Sequence, residues 1–441
     1  MVIKMNSENR NVKQDEFSIE KYFVNENNIP SDNFIKDLKK LINNHINEEK
    51  IIDEPLYRSS INYIYYPSKS LTNNSKNILL ITHELSRTGA PIVVLDTAKV
   101  LVKNNYFVTV ISLKDGPLME EFINIGVPVI IMPQMKYVQY LKSETCHFFD
   151  KMDLDIFVNH FDITIMVTAT LYNFVRRYFN TRKKIFWWIH EGSESYNILD
   201  SGMPKNITPN IKVFCGGQYA ADQLAIRGYH YYPNVLNYGV FDEAELGKKS
   251  SENNNKVRFL LAGTIGKRKG QLVLLKAIQK LTKKYQNKSE FIFIGDPYEN
   301  DLEGMNIKQE IQEYAKEHAN VKLYKSVSRT ELYKIYDAID VLVLASIDDP
   351  MPVVATENFM LGNICLCSNR TGTSYYIEDK ENGFVFQSDN SDELYKKIIY
   401  IIDHKTDLEE IKKKGRQIYE NYFEIGIFER KIMQLIQEEL K

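Results

Sequence analysis

The sequence carries four segments whose residue types and spacing could do chemistry. In Gly263-Thr264-Ile265-Gly266-Lys267-Arg268-Lys269-Gly270, three consecutive cations sit between an apolar run and an amphipathic one. A guanidinium offers phosphate a two-pronged fork and an ammonium a point charge, so Arg268 and Lys269 read as anion ligands. The same run also fits a solvated basic turn. The second segment is Asp348-Asp349-Pro350-Met351-Pro352-Val353-Val354-Ala355-Thr356-Glu357. Asp349 would lie in a loop at a helix start, and Glu357 about two turns into that helix. Carboxylates so placed hold hydroxyls at two points, while amides at the helix start (Met351, Val353, Val354) hold phosphate between them. A sugar nucleotide presents groups in that order: sugar hydroxyls, diphosphate, ribose hydroxyls. The plainer alternative makes Asp349 an N-terminal cap and Glu357 a surface residue. The third segment, Lys184-Ile185-Phe186-Trp187-Trp188-Ile189-His190-Glu191-Gly192, holds both tryptophans of the chain just before His190. A histidine in a Trp-lined cleft can donate to or accept from a reacting group. The fourth, Arg87-Thr88-Gly89-Ala90-Pro91, has small residues through which backbone can approach an anion, with Pro91 in a first helical turn.

Several signatures are missing. Neither GxGxxG nor GxxxxGK[ST] occurs, so the dinucleotide fingerprint and the P-loop are excluded. Asp153-Leu154-Asp155 spells a D-x-D, but it precedes an apolar run instead of closing one and reads as a loop. No serine-hydrolase elbow or HExxH is present.

Elements must position these groups. Asn77–Thr82 is a continuous apolar run, the mark of a strand buried on both faces. A helical pattern follows (Val93, Val94, Leu95, Ala98, Leu101, Val102), then Tyr106–Ile111. Strand, helix, strand at this spacing is a βαβ unit and predicts a parallel sheet. Further strands fit Val127–Met132, Ile163–Val167 and Lys184–Ile189. The theme restarts at Val257–Gly263 and continues through Phe291–Gly295, Val321–Tyr324, Val341–Ala345 and Ile364–Cys367. Each chemical segment stands at the carboxyl end of one of these strands, where such sheets bind ligands. From Leu408 onward two amphipathic helical segments are expected. Residues 250–255 read as a surface loop between the halves. Residues 1–75 contain no glycine and carry a helical apolar period from Phe34 to Ile46 behind Ser31-Asp32, so a helical extension is expected there.

The 441 residues are enough for two domains with appendages. The 56 Lys and Arg against 58 Asp and Glu leave a net charge of −2, which argues against a nucleic-acid partner. A hydrophobic share of 44% supplies a large core. Four cysteines form no CxxC pair; Cys365 and Cys367 alternate on one strand and read as small buried side chains. No signal peptide and no run of 18 apolar residues is seen, so a cytoplasmic protein is expected.

Read in order, residues 76–441 resemble a glycosyltransferase of family 4. The segment from Val341 through Asp349, Glu357, Asn358, Phe359, Met360 and Gly362 resembles that family's E-x7-E region. Arg370-Thr371-Gly372-Thr373 resembles its glycine loop, and Glu381-Asn382-Gly383-Phe384 its closing turn. Gly263–Gly270 resembles its G-R-x4-K-G. Tyr232-Pro233-Asn234 with Asn237-Tyr238-Gly239-Val240 resembles its interdomain link, and Gly415 to Leu440 its terminal helices. Four positions depart from the pattern: Asp349 stands for the usual Glu, Thr264 for the usual Arg, Thr371 for the first glycine, and Tyr375 where that loop often carries Glu.

The resemblance implies an α/β GT-B fold: two facing Rossmann-like parallel-sheet domains with a helical N-terminal extension. The boundaries follow as 1–75 for the extension, 76–240 for an acceptor domain and 241–415 for a donor domain. Residues 416–441 form a helix returning to the first domain. It implies a retaining transfer of a hexose from a nucleotide-diphosphate sugar, UDP-linked, without a metal or other cofactor. The acceptor would be a carbohydrate, lipid-linked or protein molecule in surface polysaccharide or glycoconjugate synthesis. His190, Asp349 and Glu357 would serve the reacting sugar and ribose. Gly89, Thr264, Arg268, Lys269, Met351, Val353, Val354 and Gly372 would hold the donor. Residues 1–75 lie outside the resemblance; their helical period with mixed charges fits a packed or protein-partner-facing helix better than an anchor at the inner face of a membrane. Two alternatives share the architecture: an inactive partner subunit and a sugar-nucleotide epimerase.

Overall fold

The computed structural model describes residues 2–4, 63–65, 76–132, 135, 154–200, 202–231, 233–244 and 256–441. Two parallel sheets dominate. The first is built from β1 (Val2–Lys4), β2 (Tyr63–Tyr65), β3 (Asn77–Thr82), β4 (Phe107–Ser112), β5 (Val129–Ile131), β6 (Ile163–Val167), β7 (Lys184–Ile189), β8 (Ile211–Cys215) and β9 (Asn234–Val235). Its spatial order is β1-β2-β5-β4-β3-β6-β7-β8-β9. The second contains β10 (Val257–Ala262), β11 (Ser289–Ile294), β12 (Val321–Tyr324), β13 (Val341–Leu344), β14 (Ile364–Ser368) and β15 (Phe384–Phe386), in the order β12-β11-β10-β13-β14-β15.

The continuous apolar runs explain the centre of each sheet. Ile78 to Ile81 are wholly buried, as are Val341 to Val343, because helices cover both faces. In each sheet the strand order reverses next to its first parallel strand. β3 lies between β4 and β6 (Ile78 beside Ile163), and β10 lies between β11 and β13 (Phe259 beside Val341). Loops leaving the two strands at such a reversal part in opposite directions and open a crevice. The sequence alone did not anticipate β8, β9 and β15.

Two short strands lie within the first 75 residues. β1 pairs antiparallel with β2, and β2 pairs antiparallel with β5, so this part of the chain extends the edge of the first sheet. The helix expected from Phe34 to Ile46 and the loop at 250–255 lie outside the described residues. The D-x-D reading is corrected at Leu154, which opens the helix Leu154–His160 instead of lying in a loop. There Asp155 accepts from Arg177 Nε at 2.8 Å and from the Tyr178 hydroxyl at 2.9 Å.

The chain crosses between the domains twice at one place. Val240 N–H donates to Phe423 O at 2.9 Å, and Ile425 N–H donates to Val240 O at 3.2 Å. Helix Leu408–Ile418 precedes this crossing; helix Ile425–Leu440 follows it and packs on the first domain. Phe428 stacks on Trp188 with centroids 5.5 Å apart, and Glu429 takes Lys103 Nζ at 2.8 Å and Asn104 Nδ2 at 2.7 Å. Among the described residues, no helix is long and apolar enough to cross a membrane.

Candidate active site

A cleft of about 400 Å³ lies where the two strand-order reversals face each other. Its walls come from the loops after β3, β6 and β7 on one side and after β10, β11, β12 and β13 on the other. Ten of the eleven residues singled out from the sequence line it: Gly89, His190, Thr264, Arg268, Lys269, Asp349, Met351, Val353, Val354 and Glu357.

The cationic turn owes its shape to Gly270. Its φ is +71°, and a Cβ there would stand 1.9 Å from Ala345 O, so only glycine lets the turn tuck beneath the end of β13. Lys267–Lys269 then form one tight turn that aims Lys269 into the cleft. Lys269 Nζ meets Asp349 Oδ2 at 2.5 Å, with only 20% and 8% of the two side chains exposed. Burial pulls the Lys269 pKa below its usual value, and Asp349 offsets this in part. Burial pushes the Asp349 pKa up, but Lys269 and Arg268 outweigh it and hold the carboxyl below its usual range. Arg268 Nη1 donates to Asp348 O at 2.8 Å and lies 3.8 Å from Asp349 Oδ2.

The carboxylate helix differs from its plainer reading. Pro352, not Asp349, is the N-cap of helix Val353–Met360. Glu357 is 2% exposed, so it is no surface residue. It accepts from Arg329 Nε at 2.6 Å and from the hydroxyls of Tyr333 (3.2 Å) and Tyr336 (3.5 Å). Burial raises its pKa, and Arg329 opposes the rise. Gly372 packs against the loop that carries Asp349. Its amide donates to Asp349 O at 2.8 Å, and a Cβ would fall 1.6 Å from Pro350 O. Gly372 therefore supports the Asp349 loop from behind.

Across the cleft, helix Gly89–Lys103 presents its first residue toward Val353; a Cβ on Gly89 would meet Val353 Cγ2 at 3.7 Å. Two helix N-termini thus converge, and their free N–H groups favour an anion between them. His190 packs on Trp188 with centroids 4.7 Å apart. Its Nε2 is buried without a hydrogen-bond partner, and burial lowers its pKa to about 3, so the ring is neutral near pH 7. Gly216 leaves room for the ring, since a Cβ there would lie 2.3 Å from His190 Nδ1. Beside it, Glu191 accepts from Ala169 N at 2.7 Å and from His190 N at 3.0 Å. Thr168, just before Ala169 in the turn after β6, stands at φ +98°, an uncommon conformation for a β-branched residue and one that concentrates at functional sites.

Sequence reasoning missed Arg329, Asp348 and Thr168 as cleft residues. Arg329 had a detectable signal, because it is a cation beside a capping box (Ser328 with Glu331) that opens a helix after β12. Its Nη1 also reaches Asp96 Oδ2 of the first domain at 3.1 Å. Among the described residues, no group of three or more His, Cys, Asp or Glu is arranged to hold a metal ion.

Comparisons with known proteins meet this geometry. The family described as glycosyl transferases group 1 matches residues 242–418, and that described as glycosyl-transferase family 4 matches residues 74–203. The chain is 27% identical over 211 residues to an undecaprenol-linked glycan α-1,4-N-acetyl-D-galactosaminyltransferase of Campylobacter jejuni, covering 46% of this chain and 54% of that protein. It is 24% identical over 196 residues to spore coat protein SA of Bacillus subtilis, covering 44% and 52%. It thus spans about half the length of the curated relatives it matches. In fold it resembles Anabaena HepE solved with UDP-glucose, with a TM-score of 0.65 at 16% identity over 82% of this chain and 100% of that one.

Proposed function

The chain belongs to the group 1, family 4 glycosyltransferases of GT-B fold, and from that premise we propose that it moves a hexose from a UDP-sugar to a glycan acceptor with retention at the anomeric carbon. One observation carries this reading. Lys269, Arg268 and the N-termini of two helices line one cleft together with Asp349 and Glu357. Donor diphosphate in that cleft would have its negative charge balanced by fixed cations and amides, and this balance grows in value as the bond to the sugar breaks. Asp349 and Lys269 would take sugar hydroxyls and phosphate, and Glu357 the ribose.

In this step the bond between the anomeric carbon and the diphosphate oxygen breaks while the acceptor oxygen bonds to the same carbon. The acceptor proton needs a base. A neutral His190 with a pKa near 3 is a weak one, and Asp349 is held charged by Lys269. The departing diphosphate oxygen is the better base, and it lies on the face from which a retaining acceptor enters. His190 then orients a sugar hydroxyl through its free Nε2. The Campylobacter relative acts on an undecaprenol-linked glycan, which supports a lipid-linked glycan as the acceptor class.

A thermal-shift panel of UDP, GDP, ADP and their hexose conjugates tests the donor, because a ligand bound only by the native state raises its stability. UDP and one UDP-hexose should give the largest shifts, and proton NMR should show an α-linked product from an α-linked donor. A folded protein that no nucleotide stabilises, and that consumes none, would sink the proposal.

A further inference from the structure

Asp348 belongs to the second domain, yet its carboxylate is spent on the first. It is 2% exposed. Oδ1 accepts from Ser193 N at 3.0 Å and from the Tyr219 hydroxyl at 2.6 Å, and Oδ2 accepts from Glu194 N at 2.8 Å. Ser193 and Glu194 open the short helix that follows β7 and His190. The fit is tight: a Cβ on Gly192 would stand 2.5 Å from both carboxylate oxygens, although Gly192 itself has an ordinary extended backbone. On its own side, Asp348 is joined to Asp349 by a peptide bond, and its carbonyl takes Arg268 Nη1 at 2.8 Å.

From this juxtaposition we infer that Asp348 is a positioning residue: its carboxylate latches the two domains together and sets the separation between His190 on one wall and the Asp349–Lys269 pair on the other. The inference rests on the transferase reading for its catalytic consequence, though the latch itself is a matter of geometry. Charge-assisted hydrogen bonds to backbone N–H groups are strong enough to hold such an interface. The contact makes closure a property of the protein and not of the donor. An open form would keep its donor-binding loops and lose only the alignment across the gap.

Two variants break the latch from opposite sides: Asp348→Ala removes the carboxylate, and Gly192→Ala pushes it out while keeping every charged group. Small-angle scattering of the full chain should show a larger radius of gyration for both than for the wild type. UDP affinity, measured by titration calorimetry, should stay within about twofold. Transfer kcat should fall roughly tenfold or more, the loss expected when the two walls no longer hold the reacting groups in line. Asp348→Asn, which keeps one acceptor oxygen, should recover part of that loss. A purely structural role would lower the melting temperature and leave kcat per folded molecule intact, which overturns the inference. Unchanged scattering in both variants overturns it too. If the wild type turns over no UDP-sugar, the transferase reading fails, and the scattering arm still decides the latch.

Discussion

Lys269→Met tests the charge balance of the cleft most directly. Methionine keeps most of the stem volume and removes the ammonium. Two losses follow, and they are separable. The first is in the free protein. Asp349 is 8% exposed and loses its 2.5 Å partner. Removing one member of a buried pair costs about 3–5 kcal/mol when nothing replaces it. Here Arg268 remains 3.8 Å away and the Ser346 hydroxyl 3.5 Å away, so the loss should fall at or below the lower end of that range. The second loss is in binding. A charge-assisted contact to phosphate is worth roughly 1.5–3 kcal/mol, which is about 10- to 150-fold in UDP affinity. Titration calorimetry with UDP and with uridine, at a temperature where the variant is folded, separates the two. UDP should weaken within that range and uridine should be unaffected. If uridine weakens as much as UDP, or UDP weakens less than about threefold, Lys269 does not face the diphosphate.

Arg329→Met should destabilise the protein by about 3 kcal/mol, the lower end for a broken buried pair, because Glu357 loses its cation while Asp96 keeps Lys99 at 3.1 Å; adding Glu357→Gln should recover part of the loss in urea titrations. Stability should also fall as pH drops from 6.5 toward 3, since only the unfolded chain protonates the imidazole of His190 in that window. The contribution is at most about 1.4 kcal/mol per pH unit, and the slope should flatten in His190→Asn when unfolding is followed from pH 7 to 4. Gly372→Ala should displace the Pro350 loop, costing about 1–3 kcal/mol by overcrowding, and should weaken UDP binding although it adds no atom to the cleft.

Much of the fold was legible because β3, β6, β7, β10 and β13 are apolar runs long enough to show burial on both faces. β8 was not: Lys212 interrupts Ile211–Cys215 and leaves an apolar run of only Val213, Phe214 and Cys215. β9 has two residues and β15 three, too few for any period. Tyr63-Ile64-Tyr65 lies in a tyrosine-rich stretch that could have been read as a strand, but the polar composition around it hid the signal. The cleft residues were legible by a positional rule, namely charge or glycine at the carboxyl end of a buried strand. Their partners were not. Arg329 meets Asp96 across 233 positions, and Asp348 meets Ser193 across 155. Contacts of that kind depend on how two domains sit against each other, which no local pattern encodes. The support that Gly372 gives the Asp349 loop was not legible either, because a glycine beside a ligand and a glycine behind the loop that holds the ligand look alike in sequence.

The paired crossings at Val240 and Glu424 have a mechanical consequence. Two strands of chain joined by hydrogen bonds at one spot behave as the spine of a book. They resist sliding and pulling apart, and leave rotation about their shared axis as the soft motion. Any opening must therefore swing the cleft walls along an arc, and displacement grows with distance from the spine. Ile425–Leu440, fastened to the first domain through Phe428 and Glu429, keeps that axis fixed to one cover. Shortening the chain before Phe428 would free the axis itself, turning a one-dimensional swing into a loose joint.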